Sequence, residues 1–154
     1  MRLYQQKGSF SNEELDIRSP RLLPLITYPH YSECEYRVRI AEMESLGITS
    51  IILGDGNTIV NNAHVAGKGS VGIVVKAKLG RKKKICALKI RRTDANRKTM
   101  DNEAHFHKIA NSAGIGPRLE GHTKNLISME FLTGMKIIDW IRGDDNNNND
   151  NDND

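Results

Sequence analysis

Cysteine, tryptophan and long apolar runs are all scarce in this chain. Its two cysteines, Cys34 and Cys86, lie far apart and form no CxxC pair. That removes a disulfide framework and a zinc knuckle, and makes a reducing cytoplasm the expected location. No apolar stretch approaches the roughly 18 residues that a membrane span needs, so no membrane partner is expected. The opening residues, MRLYQQKGSF, contain no apolar core of a secretory signal. Aromatic residues are only 5% of the chain, too few to interleave with basic residues as RNA-stacking surfaces do.

Positive charge is what the chain does have. The formal net charge of +4 hides an asymmetry, because residues 144–154 (DDNNNNDNDND) contain five Asp and no Lys or Arg. Taking those five from the 19 acidic residues leaves 14 against 23 basic ones, a body of +9. A basic body suits a phosphate-rich partner, nucleotide or nucleic acid.

Hydrophobic periodicity divides the chain into three regions. Residues 1–60 read as an N-terminal extension. Within it, 1–31 carries Pro20, Pro24 and Pro29 among polar residues and is expected to be an extended, loosely docked arm. A helix follows, with Ser32 as its cap and Glu35 completing a capping box. Cys34, Val38 and Ala41 fall at helical spacing, and Gly47 ends the helix. Ile51-Ile52-Leu53 and Thr58-Ile59-Val60 flank Asp55-Gly56, which predicts a hairpin. Residues 61–142 carry the main pattern, and 143–154 is a low-complexity Asn/Asp tail expected to be disordered.

In the middle region, Ile73-Val74-Val75 and Ile85–Ile90 read as strands joined by the basic turn Gly80-Arg81-Lys82-Lys83-Lys84. Residues 94–111 read as a helix capped by Asp94 or Thr99 and broken by Gly114-Ile115-Gly116-Pro117. Leu126–Phe131 is another strand, and Ile137, Ile138, Trp140 and Ile141 suggest a short apolar helix.

Gly67-Lys68-Gly69-Ser70-Val71-Gly72-Ile73-Val74 fits G-x-G-x-x-G-x-V. Glycines so spaced let the backbone approach phosphate oxygens. The motif runs into β-branched residues instead of a helix, which predicts a hairpin over a nucleotide and excludes a dinucleotide-binding turn. An ordinary glycine-containing hairpin would read the same way. Lys89, 17 residues after Gly72, shares a strand face with Ala87. A lysine on a covered face needs an acid, and Glu103 is the candidate. Glu103, Phe106 and Ala110 lie at i, i+3 and i+7, predicting one inward helix face.

Together, Gly67 to Val74, Ala87-Leu88-Lys89, Glu103 and Met129-Glu130-Phe131-Leu132-Thr133-Gly134 resemble the N-terminal lobe of a protein kinase. They are most similar to small atypical serine/threonine kinases of the RIO and KEOPS-associated kind. Arg91–Asn96 and Gly114–Arg118 add to the likeness, which covers roughly 63–142. The resemblance implies an α+β fold: a twisted antiparallel sheet of about five strands with one main helix, preceded here by the helix-hairpin extension. It implies ATP as ligand and magnesium as its companion. Gly67, Lys68, Gly69, Ser70 and Gly72 would cover the phosphates. Val74 and Ala87 would pack the adenine. Lys89 would hold phosphates and pair with Glu103. Met129 would stand behind the base, and Glu130 to Leu132 would form the hinge that reads its edge. One departure is His107, where such kinases place an apolar residue.

Phosphoryl transfer to a protein also needs an HRD-type loop and a DFG aspartate for magnesium. Neither sequence is present, and the tail carboxylates cannot preorganise a metal site, so no metal-ligating residue is assigned. The expectation is therefore a truncated or inactive kinase-like lobe that binds ATP without turning it over. The alternatives are a non-catalytic nucleotide-binding scaffold and an RNA-associated module using Arg81, Lys82, Lys83 and Lys84. A solvated hairpin tip is the preferred reading of that basic run.

Overall fold

The computed structural model describes residues 12–54 and 56–134. The short apolar helix expected at 137–141, the Asn/Asp tail and the start of the arm lie outside the described residues.

The fold is α+β and its central sheet is antiparallel throughout. In chain order the elements are β1 (Glu13–Asp16), a 3-10 turn (Pro20–Leu22), α1 (Leu23–Ile26), α2 (Glu33–Ser45), β2 (Ile48–Leu53), β3 (Thr58–Val60), β4 (Ala63–Val65), β5 (Gly67–Lys68), β6 (Gly72–Leu79), β7 (Lys84–Arg91), α3 (Asp101–Ser112), β8 (Leu119–His122) and β9 (Leu126–Glu130). The sheet has seven strands in the order β1-β2-β6-β7-β9-β8, with β5 alongside β6; β3 and β4 form a separate two-stranded sheet. The sheet has more than the expected five or so strands, because the extension adds β1 and β2 to it, while α2 and α3 are the expected extension helix and main helix. Glu13-Glu14-Leu15-Asp16 did not read as a strand because an edge strand tolerates charge, and acidic residues there discourage further pairing.

Three other expectations fail for physical reasons. The described part of the arm is not loosely docked: Leu22, Leu23, Leu25 and Ile26 are all buried in the main core. Pro20 and Pro24 sit in the first turns of short helices, where the missing N–H is tolerated. The hairpin across Asp55-Gly56 is not formed. β2 pairs with β1 and β6, while β3 pairs with β4 through Asn61-Asn62, both left-handed at φ 45° and 63°. Gly56 is needed for a different reason, since a Cβ there would strike the Val65 carbonyl. Finally, α2 is rotated from the expected face. Its buried residues are Tyr36, Arg39 and Met43, whereas Cys34, Val38 and Ala41 are exposed.

Other local signals hold. Ser32 Oγ accepts from the Glu35 amide at 3.3 Å, and Gly47 follows α2 at φ +74°. The Glu35 carboxylate does not close a capping box but binds Arg39 Nε at 3.3 Å. Arg39 is fully buried and also donates to the Arg91 carbonyl. Burial pulls its guanidinium pKa down. Cys86 is buried, and desolvation pushes its thiol up to about 11, whereas Cys34 is exposed.

The sheet has two differently covered faces. Ile73, Val75, Ala77, Cys86, Leu88, Ile90 and Leu126 pack with α1 and α2 residues in the main core. The opposite face carries α3, through Met100, Ala104 and Ile127 with Val71, Leu119 and Met129 around them. Alternation therefore puts Lys89 on the α3 face.

Candidate functional site

The glycine-rich segment folds as a tight hairpin. Gly67 pairs with Val74 and Lys68 with Ile73, and the Gly69 amide donates to the Gly72 carbonyl at 2.8 Å. Ser70 and Val71 form its tip. The hairpin is fastened from outside. Arg92 donates from its backbone to Val71 O at 2.8 Å and from Nη1 to Gly69 O at 3.1 Å. Lys68 Nζ meets the Tyr28 hydroxyl at 3.0 Å, and Lys68 and Arg92 both lie over the Tyr28 ring, at 5.1 and 5.2 Å. Asp94 accepts from the Arg92 guanidinium at 2.6 and 2.8 Å, which lowers the Asp94 carboxyl pKa and raises that of Arg92.

Lys89 sits in β7 opposite Val74 on one side and Ile127 on the other. Its ammonium pairs with Glu103 Oε1, and both side chains are about three-quarters covered, at 23% and 28% exposure. Glu103 Oε2 accepts from Arg97 Nη1 at 3.1 Å. One carboxylate is thus held between two cations.

These groups open onto one cavity of about 810 Å³. The glycine hairpin (Lys68 to Gly72), Val74 and Lys89 form one wall. Arg97, Lys98, Thr99, Asn102, Glu103 and Phe106 form the other. Among these lining residues are four cations (Lys68, Lys89, Arg97 and Lys98) and a single carboxylate, so the walls carry a net charge of +3. The first turn of α3 also borders the cavity, and its helix dipole adds to the positive potential. The arrangement favours a polyanion. It offers no carboxylate cluster to a metal; among the described residues no group of three His, Cys, Asp or Glu could hold one.

Of the residues singled out from sequence, the cavity gathers Lys68, Gly69, Ser70, Gly72, Val74, Lys89 and Glu103. Gly67 lies at the hairpin's base. Ala87, Met129, Glu130 and Leu132 do not line it. Ala87 opposes Met129 across β7 and β9, and Met129 packs against the cluster beneath α3. The Glu130 amide donates to Arg118 O at 2.8 Å, and Leu132 is 61% exposed.

Sequence reasoning missed Arg97 and Lys98 because it started the helix at residue 94. The helix begins at Asp101; Asp94 is engaged by Arg92, so 92–100 is a loop. Thr99 Oγ1 does reach the Asp101 amide, at 3.4 Å. The expected inward face of Glu103, Phe106 and Ala110 holds at Glu103, which turns to Lys89, but not at Phe106. Ala104 is the buried residue of α3, and Phe106 is 68% exposed at the cavity rim. An apolar pattern cannot fix the rotation of a helix when its buried face is centred on one alanine.

The basic hairpin tip is solvated. Arg81, Lys82, Lys83 and Lys84 are exposed, and Lys84 pairs with Glu120, which also takes Arg118 at 2.8 Å. His105 is exposed, while His107 Nε2 meets the Pro117 carbonyl at 2.6 Å. No helix of the described residues is long and apolar enough to cross a membrane. Searches against family models, curated proteins and solved structures match this chain to none.

Proposed function

We propose that the chain is an ATP-binding lobe of protein-kinase type, related to serine/threonine kinases. The observation that carries this reading is the Lys89–Glu103 ion pair, which opens onto the same cationic cavity as the glycine hairpin. Two features of the topology support it. The hairpin strands β5 and β6 lead directly into the lysine strand β7, and the glutamate helix α3 follows before the last two strands. The volume of about 810 Å³ and the surplus of three positive charges suit a polyphosphate. Within this reading, Lys89 is oriented by Glu103 and contacts phosphates, and the backbone of Gly69 to Gly72 closes over them. The base would lie over Val74 and toward Ala87.

The residues fit ATP better than they fit magnesium. Glu103 is the one carboxylate on the cavity wall and is already held by two cations. Any magnesium would arrive with the phosphates, and no step is assigned to it. The sequence contains no HRD or DFG tripeptide, so the proposal is nucleotide binding without phosphoryl transfer by these residues.

The test is thermal unfolding with ATP, with and without magnesium, for wild type and Lys89→Ala. A ligand at 100 times its Kd stabilises by about 2.7 kcal/mol, a shift of several degrees for a chain this size. The expected result is a concentration-dependent shift that Lys89→Ala abolishes while far-UV circular dichroism stays unchanged. No shift at millimolar ATP, or the same shift in both proteins, refutes the proposal.

A further inference from the structure

The Glu103 carboxylate has two cationic partners, and the kinase-like reading uses only Lys89. Arg97 occupies the other oxygen at 3.1 Å. It is 47% exposed, at the cavity rim, whereas Lys89 is 23% exposed on the strand. The Arg97 backbone is itself anchored. Arg91 Nη1 donates to its carbonyl at 3.3 Å, and Arg91 Nε donates to Asn125 Oδ1 at 2.9 Å. Asn125 is buried and held by Glu42 from α2 at 2.9 Å. Three residues on, the Met100 amide is fixed to Lys124 O at 2.8 Å. The guanidinium thus hangs from a fastened loop but can leave a carboxylate that Lys89 continues to neutralise.

The contacts around the cavity set an order. Val74 is the cross-strand neighbour of Lys89, Lys89 pairs with Glu103, and Glu103 pairs in turn with Arg97. A ligand whose base rests over Val74 meets Lys89 first and Arg97 with its outermost phosphate. Arginine presents a planar fork suited to a terminal phosphate, which bears the most charge and the most acceptor oxygens.

Resting on the nucleotide reading above, we infer that Arg97 is a specificity-determining residue that exchanges Glu103 for the terminal phosphate and selects nucleoside triphosphate over diphosphate. Lys89 contacts inner phosphates common to both ligands, so it contributes affinity without this selection.

The experiment is titration calorimetry of the full chain with ATP, ADP and inorganic tripolyphosphate. The proteins are wild type, Arg97→Gln, Arg97→Lys and Lys82→Gln, the last a hairpin-tip control for loss of one positive charge. Arg97→Gln is expected to weaken ATP binding about tenfold, the scale of one lost charge-assisted hydrogen bond to phosphate, and ADP binding by less than about threefold. Arg97→Lys is expected to fall between, and Lys82→Gln to keep the wild-type ratio. An unchanged ATP-to-ADP ratio in Arg97→Gln, or the same change in Lys82→Gln, overturns the role of Arg97 and leaves the nucleotide reading standing. Wild type that binds none of the three ligands overturns both. Tripolyphosphate binding that depends on Arg97, with no added affinity for ATP, overturns the nucleotide reading alone and keeps Arg97 as a phosphate ligand.

Discussion

Replacing the three motif glycines one at a time separates what the fold needs from what a ligand needs. An ideal Cβ on Gly72 would lie 2.9 Å from the Ile90 carbonyl oxygen and 3.2 Å from both Cγ and Cε of Lys89. The carbonyl belongs to β7, whose Ile90 is in register with Ile73 of β6, so it cannot retreat without loosening the central strand pair. The lysine stem can move, but only by shifting the ammonium that Glu103 holds. Overpacking of this kind costs roughly 1–3 kcal/mol. The narrower unfolded ensemble of alanine returns about 0.4–1 kcal/mol. Together these leave a loss of about 0–2.6 kcal/mol for Gly72→Ala, centred on about 1.3. Gly67 has nothing within 4 Å of the same virtual atom, and Gly69 only the Gly72 carbonyl at 3.8 Å, an ordinary contact. Gly67→Ala and Gly69→Ala, with no clash to offset that gain, should match wild type or exceed it by up to about 1 kcal/mol. Urea unfolding followed by circular dichroism reads the difference, as a fall in midpoint at unchanged m-value. A Gly72→Ala midpoint indistinguishable from wild type, or an equal loss at Gly67, refutes the close-approach argument. If Gly67→Ala and Gly69→Ala keep full stability yet weaken ATP binding, the fold is not what requires glycine there.

Further outcomes follow from burial and charge. Cys34 is exposed, and Cys86 is buried with its thiol raised to about 11. A maleimide at pH 7.5 should label the native protein once, at Cys34, and twice only after unfolding, as read by mass spectrometry of the digest. Rapid native labelling of Cys86 would contradict the packing of β7. The Glu120 carboxyl is held below its usual value of 4.5, chiefly by hydrogen bonds from Lys84 and then Arg118. Its contribution to stability is therefore complete above that value and is lost as pH falls through the lower folded one. Glu120→Gln should flatten the acid limb of the stability–pH curve below about pH 4.5 and leave it unchanged near neutrality in shape, and an unaltered acid limb would refute the role of this ion cluster.

Much of the central hairpin was legible from composition alone. β6 and β7 are runs of β-branched and apolar residues around a glycine-containing basic turn, and that pattern decides strand type with little help from the rest of the chain. The cap at Ser32 and the stop at Gly47 are likewise local chemistry. The Lys89–Glu103 contact spans 14 residues across a strand and a helix. Its partners were nameable because alternation fixes the lysine's face and because a covered ammonium needs a carboxylate.

What the sequence left open was decided by long-range packing. Nothing local in Glu13–Asp16 favours a strand; it becomes one because Ile51 and Ile52 of β2 present an unpaired edge beside it. Arg39 in place of Val38 faces the core because its guanidinium finds the Arg91 carbonyl, 52 residues away. Arg97 reached the cavity because Asp94 was taken by Arg92 and the helix started at Asp101, about two turns after Asp94 and just past the alternative cap Thr99. Periodicity along the chain determines which residues can share a face. Only the tertiary structure determines which face is covered, because that depends on partners whose distance in sequence the pattern does not encode.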